Sequence, residues 1–214
     1  MLLPYKLGSV DCYLIKNNSN FFLVDTGSSN KRVELEYELE NEGCKTGNLK
    51  LIIITHGDFD HTGNAAYLRR KFGAPIAMHS DDLGMAEHGD MFYNRKQPNF
   101  LIRKIISALS GFGEKERFKP DIFIEDGHDF SGQGLDARAI SIPGHSKGSI
   151  GILTASGDLF CGDLFENREK PSLNSIMDDY DAAKASIAKL NRNKINTVFP
   201  GHGKPFLMEQ LIGS

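Results

Sequence analysis

The chain is poor in cysteine and has none of the patterns that give cysteine a structural role. Cys12, Cys44 and Cys161 are odd in number and far apart, so they cannot all pair within one chain, and no Cys-x-x-Cys unit of a zinc ribbon or redox motif occurs. That argues for a reducing compartment and against a disulfide scaffold. Met1 to Tyr13 lacks a basic cluster followed by an apolar run, and nowhere do about 18 apolar residues follow one another. Neither an export signal nor a membrane span is expected, and the expected location is cytoplasmic. A marked excess of one charge sign is lacking as well. A net charge of -3 carries no electrostatic footprint for nucleic acid, so the expected partner is a small-molecule substrate, with no nucleic acid and no membrane.

What is present is ordinary globular composition, 40% hydrophobic and 25% charged over 214 residues, enough for one large core; a single domain over 1–214 is expected. Asp11 to Ile15 and Phe21 to Val24, separated by Asn17-Asn18-Ser19-Asn20, predict a β-hairpin. Val33 to Leu39 has helical character, and Leu51 to Ile54 reads as an apolar strand buried on both faces. A helix is expected around Ala65 to Lys71. From Ser80 to about Phe118 the pattern changes: Phe92, Tyr93, Leu101, Ile102, Ile105, Ile106 and Leu109 form an apolar stripe at helical spacing, read as a helical insertion. Strands are expected at Ile122–Ile124, Ala137–Ile142, Ile150–Thr154, Leu159–Cys161 and Ile195–Phe199, with a helix over Asp181–Leu190. Alternating strands and helices indicate α/β architecture. A weak echo between Val24-Asp25-Thr26-Gly27 and Cys161-Gly162-Asp163-Leu164 suggests two similar halves sharing a cleft.

The most informative stretch is Thr55-His56-Gly57-Asp58-Phe59-Asp60-His61-Thr62-Gly63-Asn64, four potential metal donors in one turn. His145 in Pro-Gly-His-Ser and His202 in Pro-Gly-His-Gly sit in turns of the same kind, where glycine and proline let backbone approach an ion. Asp58, Asp60 and Asp163 would repel one another unless a cation neutralised them. Seven donors exceed what one tetrahedral zinc uses, so two ions sharing a carboxylate and a water is the economical count.

The order His56-x-Asp58-x-Asp60-His61, then His145, Asp163 and His202, with Asp25 upstream, resembles the metallo-β-lactamase superfamily over nearly the whole chain. The resemblance implies a four-layer αββα sandwich with the insertion around residues 80–118. It places His56, Asp58 and His145 on one metal, Asp60, His61 and His202 on the other, and Asp163 between them. Asp25 is expected to hold the metal loops through hydrogen bonds, the competing reading being a cap for the helix near Ser29; Asp60 and Asp25 are the residues assigned to catalysis. Two divalent ions are implied, zinc first. One departure from the family's His-x-His-x-Asp-His is that Asp58 stands where the second histidine is usual. Three aspartates and one hydroxide then balance two divalent ions to zero, which predicts lower Lewis acidity and tolerance for iron or manganese.

The hydrolytic reading uses a metal-bridging hydroxide as nucleophile. Size and motif order are similar to the short, glyoxalase II-like members, which implies a thioester, lactone or other small ester-like substrate; the chain ends too soon after His202 for that enzyme's long helical C-terminal domain, which removes the basis for expecting glutathione recognition. Lys147, Arg168 and Lys170 are candidates for an anionic substrate group, against the plainer reading as solvated surface cations. The insertion, with Phe92, Tyr93 and Ile105, is either an apolar lid or a stripe packed on the core or in a homodimer seam. His79, His88 and His128 are read as structural, and Cys161 as a core residue. Competing functions are a diiron redox or oxygen-handling protein, motivated by Asp58 and a looser resemblance to flavodiiron proteins whose flavodoxin domain has no room here, a phosphodiester or nucleic-acid hydrolase, and a binding protein that keeps metals without turnover. β-Lactam hydrolysis is disfavoured by the lack of an export signal.

Overall fold

The computed structural model describes residues 2–7, 10–95 and 112–212. In chain order the strands are β1 (Leu2–Leu7), β2 (Val10–Asn17), β3 (Asn20–Val24), β4 (Leu49–Ile53), β5 (Ile76–Met78), β6 (Ile122–Phe123), β7 (Ala137–Ser141), β8 (Ile150–Thr154), β9 (Asp158–Asn167), β10 (Ser172–Leu173), β11 (Thr197–Gly203) and β12 (Phe206–Leu207). The α-helices are α1 (Arg32–Asn41), α2 (Phe59–Thr62), α3 (Ala65–Phe72), α4 (Leu83–His88), α5 (Tyr180–Leu190) and α6 (Glu209–Ile212). One sheet runs in order from β1 to β6, antiparallel through β3 and parallel from there on. The other has the order β12-β11-β9-β8-β7, with β10 on β9.

Strand alternation explains the layers, because successive side chains point to opposite faces. Leu14, Leu23 and Ile52 face α1 and α3, where Leu35, Leu39, Leu68 and Phe72 meet them in one buried cluster. Their neighbours Tyr13, Phe22, Leu51 and Ile53 face the second sheet and pack against Ala139, Ile150, Ile152 and Phe160. On its far side the second sheet presents Ile140, Leu159 and Val198 to Ala183 and Leu190 of α5. Three apolar interfaces therefore separate four layers: helix, sheet, sheet, helix. Burying a leucine is worth about 1.5–3 kcal/mol, so Leu35 and Leu39, one turn apart and both fully buried, are enough to dock an otherwise charged α1. The helix α5 starts where Asp179 accepts hydrogen bonds from the amides of Asp181 and Ala182, satisfying two amides that the first turn leaves free.

Several elements depart from the sequence reading. β1 was not expected; it is tolerated as a strand containing Pro4 because it lies at the sheet edge, where a missing amide costs no ladder bond. β5 is only three residues long, too short to show a period. β9 and β11 run on through Cys161-Gly162-Asp163 and Pro200-Gly201-His202, stretches read as turns, because the two strands pair in parallel with register shifts at Phe199/Pro200 and Pro200/His202. Of the helical insertion, a 3-10 turn at Ser80–Asp82 and α4 are helical, and the chain then turns irregularly to Arg95. The stripe residues Leu101, Ile102, Ile105, Ile106 and Leu109 lie outside the described residues. All three cysteines are buried and free, and no helix among the described residues is long and apolar enough to cross a membrane.

Candidate metal centre

Parallel pairing of β3 and β4 brings the residues after both strands to one edge of the first sheet. Asp25 follows β3 in a left-handed conformation (φ 58°), and His56 follows β4; Asp58 then precedes the single turn α2, which carries Asp60 and His61. From the second sheet come His145, in the loop between β7 and β8, Asp163 within β9 and His202 within β11. The seven residues singled out from the sequence are thus brought together across the two sheets. Three overlapping groups have donor atoms within 4.8 Å of one another: His56, Asp58 and His145; Asp60, His61 and His202; and His56, His61 and Asp163.

The donors face inwards. Asp58 Oδ2 lies 3.0 Å from His145 Nε2 and 3.6 Å from His56 Nε2. Asp163 spans the centre, with Oδ1 at 3.3 Å from His61 Nε2 and Oδ2 at 3.2 Å from His202 Nε2. Asp60 Oδ2 approaches His202 Nε2 at 3.6 Å, and the Asp60 side chain is the most open of the carboxylates, at 22% exposure. Glycine makes the close packing feasible. A Cβ at Gly201 would collide with Asp163 Oδ1, and one at Gly162, where φ is +49°, would stand 2.6 Å from Thr55 Oγ1.

The outward nitrogens of three rings are held by other groups. His61 Nδ1 meets Asp25 Oδ2 at 2.8 Å, His56 Nδ1 meets Thr55 Oγ1 at 3.0 Å and His145 Nδ1 meets the Ile176 carbonyl at 2.7 Å. Such partners leave Nε2 as the inward lone pair, the arrangement seen around metal-bound histidines. Asp25 also accepts from the Thr55 amide and hydroxyl, at 2.8 and 2.7 Å, so its carboxylate ties the ends of β3 and β4 to His61; it does not cap the helix near Ser29. His56 Nε2, His61 Nε2 and Asp163 Oδ1 are fully buried without a hydrogen-bond partner. Buried polar atoms are rarely left so, and imidazole and carboxylate atoms together are the donor set that divalent zinc, iron or manganese takes. The residues fit a pair of metal ions.

Titration of the metal-free cluster follows from its crowding. Burial would keep His61 neutral, but Asp163, Asp25 and Asp60 outweigh it and raise its pKa well above the usual value. Burial, with cationic His61 alongside, pushes His56 down. Burial opposes ionisation of Asp58 and Asp163 too, yet Arg95 and the surrounding histidines hold Asp58 well below the carboxylate range, and His61 and His202 do the same for Asp163. Asp58 and Asp163 therefore stay ionised, and His61 draws a proton in when no other cation neutralises the carboxylates around it.

Three carboxylates or cations around the centre escaped the sequence reading. Arg95, buried at the end of the irregular stretch, donates from Nη1 to Asp58 Oδ1 at 2.6 Å and pairs through Nε with Asp178 at 2.9 Å. The anion at Asp58 thus has a cation beside it that the sequence count left out, a cation shared with the Asp178 carboxylate. Asp82, fully buried, accepts from the Gly57 amide (2.9 Å), the Ser146 hydroxyl (2.6 Å) and the Gly148 amide (2.8 Å), stitching the His56 and His145 loops together. Asp11 accepts from the Gly203 amide at 2.9 Å and Tyr13 donates to the Pro200 carbonyl at 2.6 Å, steadying the His202 segment. A signal for Arg95 existed, since an extra anion at position 58 calls for a cation, but nothing local said which one.

The remaining candidates fall in different places. Lys147, two positions after His145, is exposed and lines a cavity of about 300 Å³ with Asn94, Arg95, Ser146 and Asp178; none of the seven cluster residues lines it, but Gly144 and Ser146, on either side of His145, do. Arg168 pairs with Glu166 at 3.1 Å, and Lys170 lines a separate cavity with Phe165, Leu173 and Met208, to which none of the seven cluster residues contributes. Tyr93 lies against α4, its ring stacked on His88 at 4.7 Å. His79 accepts from the Asp81 amide and His128 packs edge-on against Phe130. Cys161 belongs to the apolar cluster beneath α5.

Comparison with known proteins agrees with this geometry. The sequence is 25% identical over 210 residues to the hydroxyacylglutathione hydrolase GloC of Haemophilus influenzae, covering 94% of this chain and 89% of that one. It is 28% identical over 202 residues to a probable metallo-hydrolase of Methanocaldococcus jannaschii, with 92% and 88% covered. In fold it is similar to the crystal structure of the BLEG-1 B3 metallo-beta-lactamase, with a TM-score of 0.76 at 20% identity over 100% of this chain and 97% of the other. The sequence model of the metallo-beta-lactamase superfamily matches residues 5–202, a span that takes in every residue of the cluster. With family, fold and donor cluster in agreement, the chain belongs to the metallo-beta-lactamase superfamily and is one of its metallo-hydrolases.

Proposed function

We propose that the centre holds two divalent ions, zinc first, and hydrolyses a thioester or a related small ester or lactone. His56, Asp58 and His145 are assigned to one ion, Asp60, His61 and His202 to the other, and Asp163 to both. The observation that carries this reading is the set of buried, inward-facing and unpartnered atoms His56 Nε2, His61 Nε2 and Asp163 Oδ1. Ions bound there supply Lewis acidity toward a carbonyl oxygen and lower the pKa of water to near neutrality.

The chain's own residues do the rest. Asp25 fixes the His61 ring so that Nε2 stays directed at the centre, and its hold on Thr55 orients His56 in the same way. Asp60, the most open carboxylate, is the group assigned to orienting the attacking water. Lys147, in the cavity lined by Gly144 and Ser146 next to His145, is the cation assigned to an anionic substrate group, whereas Arg168 is engaged with Glu166 and Lys170 lines a different cavity. The thioester preference rests on the hydroxyacylglutathione hydrolase relative, whose named substrate is an S-acyl thioester.

Turnover of zinc-loaded protein against S-acyl thioester, lactone, phosphodiester and β-lactam substrates tests the proposal. Thioester or lactone cleavage, abolished by a chelator and restored by zinc, is the expected result. Cleavage of phosphodiesters alone, or native protein carrying iron with no ester turnover, would overturn it.

A further inference from the structure

The Arg95 side chain is only 5% exposed, and among the described residues its polar partners are Asp58, His145 and Asp178. Nη1 donates to Asp58 Oδ1 at 2.6 Å, Nη2 to the His145 carbonyl at 3.2 Å, and Nε faces Asp178 Oδ2 at 2.9 Å. A guanidinium stays charged in a protein and is costly to bury unless it is paired. Its position against Asp58 therefore concerns Asp58 itself, the one residue of the cluster that departs from the family's usual histidine.

We infer that Arg95 is a positioning residue that turns Asp58 into the equivalent of a neutral, single-atom donor. An ionised carboxylate brings two oxygens and a full negative charge, whereas the imidazole it replaces brings one nitrogen and none. Arg95 occupies Oδ1 and cancels the charge. Oδ2 is left directed at His56 and His145. The pair Asp58–Arg95 thus matches a histidine in both donor count and charge, and the two side chains form a single unit although 37 positions separate them. This inference rests on the two-ion reading above.

The test is zinc titration of the metal-free, full-length protein, by competition with a chromophoric chelator, for wild type, R95M, R95K, D58H and the double variant D58H/R95M. In the wild-type background R95M is expected to weaken one of the two zinc sites by about 10–100-fold, the usual cost of losing an outer partner, with R95K recovering part of the loss. In the D58H background the sign reverses: Arg95 keeps Asp178 and the His145 carbonyl but loses its partner at position 58 and faces a cation-loaded imidazole there, so D58H/R95M binds zinc more tightly than D58H. A purely structural Arg95 would cost the same in both backgrounds, and that result overturns the inference. Should R95M fail to fold, D58H against D58H/R95M decides the matter alone, since equal or weaker binding by the double variant is incompatible with compensation. Wild type that takes up no zinc, or an isotherm unchanged by D163N, instead defeats the two-ion reading itself.

Discussion

His56, Asp58 and His145 are carried by loops that meet across the cleft, and the groups joining them are Asp82 and Arg95. His61 and the His202 segment are held differently, by Asp25 and Asp11, carboxylates of the first sheet's own strands or strand ends. Asp25 reaches both halves, His61 directly and His56 through Thr55, but only the first half leans in addition on the stretch from Ser80 to Arg95, outside the sheets. Support from a sheet is rigid because the ladder fixes the backbone; support from an irregular stretch depends on a few buried charge-assisted bonds. The first half is accordingly the one whose properties single substitutions should alter most selectively.

Asp163 belongs to both halves, so Asp163→Asn should erase the contrast: turnover falls to near background and uptake of both zinc ions is impaired, measured by steady-state assay and elemental analysis. Next in size is Asp82→Ala, which strands three buried donors at about 1–3 kcal/mol each. It should lower the unfolding free energy by at least about 3 kcal/mol with or without metal, and an unchanged denaturation midpoint would show that the loops are held by something else. Asp25→Asn keeps the shape but loses the charge behind His61; it should reduce zinc affinity or kcat/KM by about 10–100-fold while leaving the fold intact by circular dichroism.

A pH response is common to both halves. In the metal-free protein the pKa of His61 is raised because Asp163, Asp25 and Asp60 outweigh burial, and that of His145 because Asp58 outweighs burial. Both folded values lie above the unfolded imidazole value of about 6.5. Their protonated forms thus stabilise the metal-free protein below that pH, and this contribution is lost as pH rises through the folded values. Zinc competes with the same protons, so its affinity should climb with pH over that window and binding should release protons in calorimetry run in two buffers; a flat profile would contradict the charge pattern. The smallest effect is expected from Lys147→Ala. With an anionic thioester it should raise KM a few-fold, in keeping with an exposed charge pair worth up to about 1 kcal/mol, with kcat and zinc content unchanged.

Much of this was legible in the residues. The strands from Phe21 to Val24 and from Leu51 to Ile53 announce themselves by apolar, β-branched runs, and the seven donors by their density beside glycine and proline. Harder to see were β1, whose Pro4 reads against a strand until its edge position is known, and the passages through Gly162 and Gly201, which look like turns yet belong to paired strands. Asp82 left no pattern, being one aspartate among many, and Arg95 only the indirect one that an anion at position 58 calls for some cation.

By itself the sequence determined the donor types, their order and the alternation that builds two facing sheets, because period and turn chemistry are encoded over a few neighbouring residues. Only the tertiary structure decided which buried groups sit behind those donors: Asp25 behind His61, Asp82 between two loops, Arg95 against Asp58. Such pairings join residues tens of positions apart, and their strength comes from exclusion of water once the layers have closed, a condition that no local spacing records.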